Sequence, residues 1–328
     1  MMEKQTGRIV VGYDGSAPAA RAVEWAARDA RRRGCPLTVL TVVDYGGLST
    51  TPPAGTGYDW PEAALLTGQE VTDKGVSLAR AVDPAVEVIP LTVPGTTAAL
   101  LIEASRSADL LVVATRGRGD LRTLLLGSVA AAVAAHGRCP VVVVRGKGDD
   151  LPGPDRPVVV GVDGSPAARA ALDFAAGTAE QAGAPLVVVC AWDALAGGVW
   201  AETWSRGLAP QNPELRPGER QLARQALDDA VARVQTQHPG VDVRPVLAEN
   251  QPAVALVDAG IQAGAGLLVV GTRGHGVFTS LLLGSVSHAV VHAATVPVAV
   301  VRGEVPEQVR ESEASVPAAT SYAPMPLL

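Results

Sequence analysis

Short apolar runs alternate along the chain with longer segments whose apolar residues recur every three or four positions. Arg8 to Tyr13 (RIVVGY) has no polar interruption after its first residue. That is the pattern of a strand buried on both faces of a parallel sheet. Asp14-Gly15-Ser16 is a turn signal, Ser16 suits a helix N-cap and Pro18 its first turn. The helix that follows keeps Ala19, Ala22, Val23, Ala26 and Ala30 on one small apolar face. It turns Arg21, Glu24, Arg28 and Arg31 to water and stops after Arg33 at Gly34. Further along, Leu37 to Val43 reads as a strand, Gly46 to Pro61 as a Gly/Thr/Pro-rich loop and Glu62 to Ala81 as a helix. Val86 to Val93 is a strand, Thr97 to Ser105 a short helix and Leu110 to Ala114 a strand. Ser128 to His136 is the last helix of this series and Val141 to Arg145 its fifth strand. Strands alternating with helices predict a parallel α/β sheet with right-handed crossovers.

The series then restarts. Gly146 to Pro157 (GKGDDLPGPDRP) is polar and rich in breakers. Pro157 to Val162 repeats the first strand, and Asp163-Gly164-Ser165 repeats Asp14-Gly15-Ser16 at an offset of 149 positions. Leu186 to Ala191, Val241 to Leu247, Leu267 to Gly271 and Val298 to Arg302 complete a second set of strands, and Glu219 to Gln235 is the counterpart of the helix after the long loop. Val112 to Val129 (VVATRGRGDLRTLLLGSV) returns as Val269 to Val286 (VVGTRGHGVFTSLLLGSV) at an offset of 157 positions. The second half therefore carries eight more residues, expected in the irregular stretch Ala194 to Gly218. The pattern gives residues 1–146 as one domain, 147–156 as a linker, 157–303 as a second domain and 304–328, rich in Pro, Glu, Ser and Ala, as a disordered tail.

Composition narrows the function classes. The 328 residues are 48% hydrophobic but only 3% aromatic, so the core must be Val, Ala and Leu. A net charge of −6 argues against a duplex nucleic-acid binder, which presents a basic face. Cys35, Cys139 and Cys190 form no CxxC pair and read as small buried residues. The first residues lack the apolar core of a signal peptide, and no apolar run approaches the ~20 residues that span a bilayer. A soluble cytoplasmic protein that binds neither nucleic acid nor membrane is expected.

The candidate chemistry lies in the glycine-bearing loops. Gly271-x2-Gly274-x9-Gly284-Ser285 places two turns and a helix start close together, and such an arrangement aims bare N–H groups at a phosphate. In an open parallel sheet ligands sit beyond the carboxyl ends of the strands. Three pieces meet there in each half: Asp14 or Asp163, the end of the second strand near Val42 or Ala191, and the loop with Gly127-Ser128 or Gly284-Ser285. Each piece has a plainer explanation. The aspartates could only close an Asx turn, the serines could only cap a helix, and Arg116 and Arg273 either reach phosphates or are solvated. Trp200 and Trp204 either cover a ligand mouth or pack a loop. Arg31-Arg32-Arg33 complements a helix C-terminus rather than marking a nucleic-acid site. His288 and His292 share a helix face, but without an HExxH signature they fit a surface or interface better than a metal site. His275 is placed to touch phosphate, yet no partner base accompanies it. There is no P-loop and no Ser-His-Asp set, so at most weak hydrolysis of a bound phosphate ligand is expected and no catalytic residue is assigned.

With V-G-x-D-G-S on the first strand, the pattern G-x2-G-x9-G-[ST] resembles the universal stress protein family in its ATP-binding, tandem-domain form. The resemblance spans Arg8 to Gly146 and Pro157 to Gly303. It implies two open Rossmann-like five-stranded parallel sheets in the order 3-2-1-4-5 with helices on both faces, and ATP over the carboxyl ends. It further implies that Val42 and Ala191 meet adenine through the backbone and that Asp14 and Asp163 lie by the ribose and any Mg²⁺. Gly117, Gly127, Ser128 and Val129, with Gly274, Gly284, Ser285 and Val286, would form the phosphate end, and Gly271 would lie against the ribose. The halves would pack through Val141 to Val144 and Val298 to Val301 as family dimers do, with further homodimerisation open. One departure stands out. Ala114 replaces the glycine found at Gly271, and its Cβ is expected to intrude on the nucleotide or forbid a left-handed backbone. The C-terminal half is therefore expected to be the better ATP site.

Overall fold

The computed structural model describes residues 7–44, 60–115, 126–146, 150–192, 216–272 and 283–303. The first half runs β1 (Ile9–Gly12), α1 (Ala17–Arg33), β2 (Leu37–Val43), α2 (Trp60–Val82), β3 (Val88–Pro94), α3 (Thr97–Ala104), β4 (Leu110–Ala114), α4 (Ser128–His136) and β5 (Val141–Val144). The second runs β6 (Val158–Gly161), α5 (Pro166–Ala182), β7 (Leu186–Trp192), α6 (Arg216–Gln237), β8 (Val243–Glu249), α7 (Pro252–Ala263), β9 (Leu267–Gly271), α8 (Ser285–Ala293) and β10 (Val298–Val301). Local chemistry sets the helix limits. Ser16 Oγ accepts the Ala19 N–H at 3.3 Å, and Gly34, in the left-handed conformation, ends α1. Ser165 and Gly183 do the same for α5.

Each half has the expected strand order, 3-2-1-4-5, with every pair parallel. The sheets are not separate, however. β5 and β10 pair antiparallel, Val142 opposite Ala299, and join the halves into one ten-stranded sheet. Both strands are four apolar residues long, and all eight side chains are buried. Pairing them removes two apolar edges that would otherwise be open. Because the pair is antiparallel, the carboxyl ends of the two parallel sets lie on opposite edges of the sheet.

Register also corrects the placement of the eight extra residues. Leu37 pairs with Val88, 51 positions on, whereas Leu186 pairs with Val243, 57 positions on, so only six lie between the second and third strands of the second half. The other two fall between its third and fourth strands, where α7 has 12 residues and α3 has 8.

One apolar cluster lies under α1, α2, α5 and α6, another under α3, α4, α7 and α8, and each contains residues of both halves. Residues 150–156 are ordered against them. Asp150 O accepts the Trp25 indole N–H at 2.8 Å, Gly153 bridges to Arg156, and Pro152 is buried. The arginines that close α1 form ion pairs: Arg32 and Arg33 hold the fully buried Asp29, and Arg31 reaches Asp83. Burial pulls the Arg32 pKa down against the attraction of Asp29. Among the described residues no helix is long and apolar enough to cross a membrane.

Candidate functional site

β1 ends at Gly12, and Tyr13 and Asp14 carry the chain over the sheet edge into α1. Asp14 Oδ1 accepts the Ser16 N–H at 2.9 Å, and Asp163 Oδ1 accepts the Ser165 N–H at 2.9 Å. The Asx turn foreseen as the plain alternative is therefore present in both halves. It also fixes each carboxylate at the carboxyl end of its strand. The surroundings differ: Asp14 is half-buried and Asp163 is exposed.

The glycine loop closes on itself at its neck. The Gly127 N–H donates to Thr115 O at 2.7 Å, and the Gly284 N–H donates to Thr272 O at 2.9 Å. Gly127 and Gly284, not the serines, are the N-cap residues of α4 and α8, and neither helix has a side-chain cap. Ser128 and Ser285 are the first helical residues and are exposed. In α4 the first backbone bond to the cap comes from Ala131. The N–H groups of Ser128, Val129 and Ala130 thus lack intrahelical partners at the positive end of the helix dipole, where an anion is favoured.

These groups share one cavity of about 520 Å³, within the range of small-molecule sites. Leu40 and Val42 of β2, Leu101 of α3 and Val113 of β4 form its apolar wall. Asp14 lies on the rim, and Gly127, Ser128, Val129 and Ala130 close the other end. Of the residues expected from sequence, Asp14, Val42, Gly127, Ser128 and Val129 are brought together here, beside Ala114. Gly117 and Gly274 lie outside the described residues, as do Arg116, Arg273, His275, Trp200, Trp204, residues 46–59 of the long loop and the 304–328 tail. Tyr13, Leu40, Thr97, Leu101, Val113, Leu126 and Ala130 also line the cavity, and no motif in the sequence marks them as site residues. The period-two pattern of β2 could have supplied Leu40, which shares a face with Val42.

In the second half, Ala191, Gly271, Gly284, Ser285 and Val286 occupy equivalent places on β7, β9 and α8. Ser287 replaces Ala130 there, and its buried hydroxyl donates to Gly284 O at 3.0 Å and lies 3.2 Å from Thr272 O. Cys190, beside Ala191, is pushed up to about 11 by burial, with Asp163 adding to the shift. Cys139 is pushed up to about 12 by burial. Both thiols are neutral near pH 7 and unsuited to attack. The rings of His288 and His292 lie 4.3 Å apart, and no third metal-ligating side chain joins them among the described residues.

Of the two reasons for expecting a weaker first site, the left-handed backbone is absent, while Ala114 does line the first-half cavity. Gly271 is not among the glycines with positive φ, so no left-handed backbone is required there. A Cβ on Gly271 would meet the Ala167 carbonyl carbon and oxygen at 2.8 and 2.9 Å, in the first turn of α5. The glycine answers to helix packing on the α5 side. Ala114 likewise packs against the cluster under α1, whereas Leu40, Leu101 and Val113 belong to the cluster on the opposite face.

Fold and site define a doubly wound α/β protein with a ligand-sized cavity at the carboxyl ends of its strands. The chain belongs to the universal stress protein family, whose model matches residues 5–145 and again 156–302. It is 36% identical over 304 residues to Universal stress protein Rv2005c of Mycobacterium tuberculosis, covering 91% of this chain and 98% of that one. It is 34% identical over 310 residues to Universal stress protein Rv2623 of the same organism, covering 90% and 96%. A universal stress protein from Archaeoglobus fulgidus shares the fold with a TM-score of 0.65 at 18% identity, covering 91% of this chain and 99% of that one.

Proposed function

We propose that the protein is a nucleotide-binding stress-response module that takes ATP into the first-half cavity and works through occupancy rather than turnover. The observation that carries this is the coincidence, in one cavity, of an apolar slot between Leu40, Val42 and Leu101 with the uncapped start of α4. A flat apolar base suits the slot, and Val42 offers backbone groups at its end. The ribose falls near Asp14 and the phosphates near the N–H groups of Ser128 to Ala130. Asp14 would be a protein ligand for Mg²⁺. A single carboxylate fits that ion, which is commonly held by one or two carboxylates together with phosphate oxygens and water. Family membership agrees with a stress-response role.

The test is the nucleotide content of the purified, denatured protein, with thermal shift on added nucleotide. ATP at about one per chain, and a melting temperature that rises with ATP more than with adenosine, is the expected result. Two per chain would make the second half an equal site. ADP alone, with steady phosphate release, would move the assignment to a slow ATPase. A protein that is empty and indifferent to every adenine nucleotide would leave a protein-interaction module.

A further inference from the structure

The helix that forms the phosphate end of the cavity is short, and its far end is held by the other half of the chain. α4 spans nine residues, mostly alanine and valine, and runs back across the sheet from the first-half site to the opposite edge. There Arg302, directly after β10, donates from Nη2 to Ala135 O at 3.3 Å, in the last turn of α4. The same contact occurs in the other direction. Arg145, directly after β5, donates from Nη1 to Ala294 O at 3.4 Å, at the C-terminal cap of α8. Each arginine sits at the carboxyl end of its own fifth strand, on the edge that carries its own half's site. Gly303 makes the position concrete. Its Cα approaches Ala167 of α5 so closely that a Cβ would lie 2.9 Å from the Ala167 backbone, a few residues past Asp163.

The antiparallel β5–β10 junction makes this geometry unavoidable. A helix between strands four and five starts at its own site edge and ends at the other half's site edge. Its last carbonyls carry the negative end of the helix dipole, and a guanidinium there both satisfies a carbonyl and favours the charge arrangement. An anion at the first turn and a cation at the last act on one rigid nine-residue element in the same sense.

We infer that Arg302 is a positioning residue for the first-half nucleotide site, and Arg145 for the equivalent second-half helix, so that each phosphate-binding helix is braced from the rim of the opposite site. The inference rests on the nucleotide reading above and adds to it a dependence of phosphate affinity on the tandem arrangement.

The experiment uses the full chain and 8-azido-ATP photolabelling, with labelled peptides of each half quantified separately by mass spectrometry. Arg302→Met should raise the half-saturating concentration for first-half peptides about two- to fivefold, the scale of one charge–dipole interaction, and leave any second-half labelling unchanged. Arg302→Lys, which keeps the cation, should restore most of the affinity. Competition by adenosine, which has no phosphate, should be the same in all three proteins, a result that mere loosening of the fold would not give. Arg145→Met should leave first-half labelling unchanged. Equal loss for ATP and adenosine, no loss with Arg302→Met, or first-half loss with Arg145→Met would each overturn the inference. Absence of saturable first-half labelling in the unaltered chain would overturn the nucleotide reading, and this inference with it.

Discussion

Equivalent positions in the two halves carry different loads. Asp29 of α1 is fully buried and holds Arg32 and Arg33, whereas its equivalent in α5, Thr178, buries a hydroxyl. Trp25 is 1% exposed and bonded to Asp150 O, whereas its equivalent Phe174 is only partly buried, with the Arg33 guanidinium carbon 5.9 Å from its ring centroid. At the start of the helix after the fourth strand, Ala130 leaves the first-half cavity open to backbone N–H groups, while Ser287 ties the start of α8 to Gly284. One motif recurs twice, but neighbours outside it decide what each copy can do.

The largest effect should come from the buried ion cluster. Asp29→Ala leaves Arg32, already disfavoured by burial, without its compensating charge. We expect a loss of about 3–5 kcal/mol in urea unfolding at neutral pH. Thr178→Ala, which removes a buried hydroxyl and strands no charge, should cost about 1 kcal/mol or less. Equal losses at the two positions would remove the contrast.

Next in size is Gly271→Ala. The added methyl meets the Ala167 backbone rather than a mobile side chain, so α5 must shift, at a cost of about 1–3 kcal/mol. The melting temperature checks this. An unchanged value would mean that the approach of β9 to α5 is soft.

The thiols give a pH-dependent contrast. Cys139 is buried where the second half has Val296, and its folded pKa lies at about 12, above the ordinary value of 9.0. The neutral thiol is favoured in the folded state, so its contribution is complete below about pH 9. It is lost as pH rises toward 12, at about 1.4 kcal/mol per pH unit while only the unfolded thiol ionises. Cys139→Ala should flatten the alkaline limb of a stability–pH curve by that slope. A limb of the same slope in the variant would assign the loss to other groups.

Much of this molecule could be read from the chain. The repeat, the strand order and the positions of Asp14, Val42, Gly127, Ser128 and Val129 follow from apolar runs, turn residues and the family resemblance. The single ten-stranded sheet followed less directly. The resemblance implies packing through the fifth strands, and only register shows that β5 and β10 share hydrogen bonds. The cavity wall was less legible, because Leu101 and Val113 are ordinary apolar residues until topology brings α3 over β4. Asp29 was missed for a related reason. On a helical wheel it is one more polar residue, and only the packing of α1 on the sheet shows that it is buried.

The smallest expected effect bears most directly on which half binds. Read from sequence, Ala114 weakens the first site because glycine stands at 271. Read from the fold, the glycine answers to Ala167 in the second half, while Ala114 packs against the cluster under α1 and lines the first-half cavity. Ala114→Gly removes one methyl from a cavity-lining position whose side chain packs on the α1 side, and should change first-half ATP affinity by no more than about twofold. It should lower stability by about 0.5–1 kcal/mol, the usual cost of glycine in a strand. Isothermal titration of the full-length variant beside the unaltered chain gives both stoichiometry and affinity. A gain of tenfold or more in the first-half site would restore the methyl as the reason the halves differ. An unchanged isotherm would leave the setting of Asp14 and the exchange of Ala130 for Ser287 as what separates them.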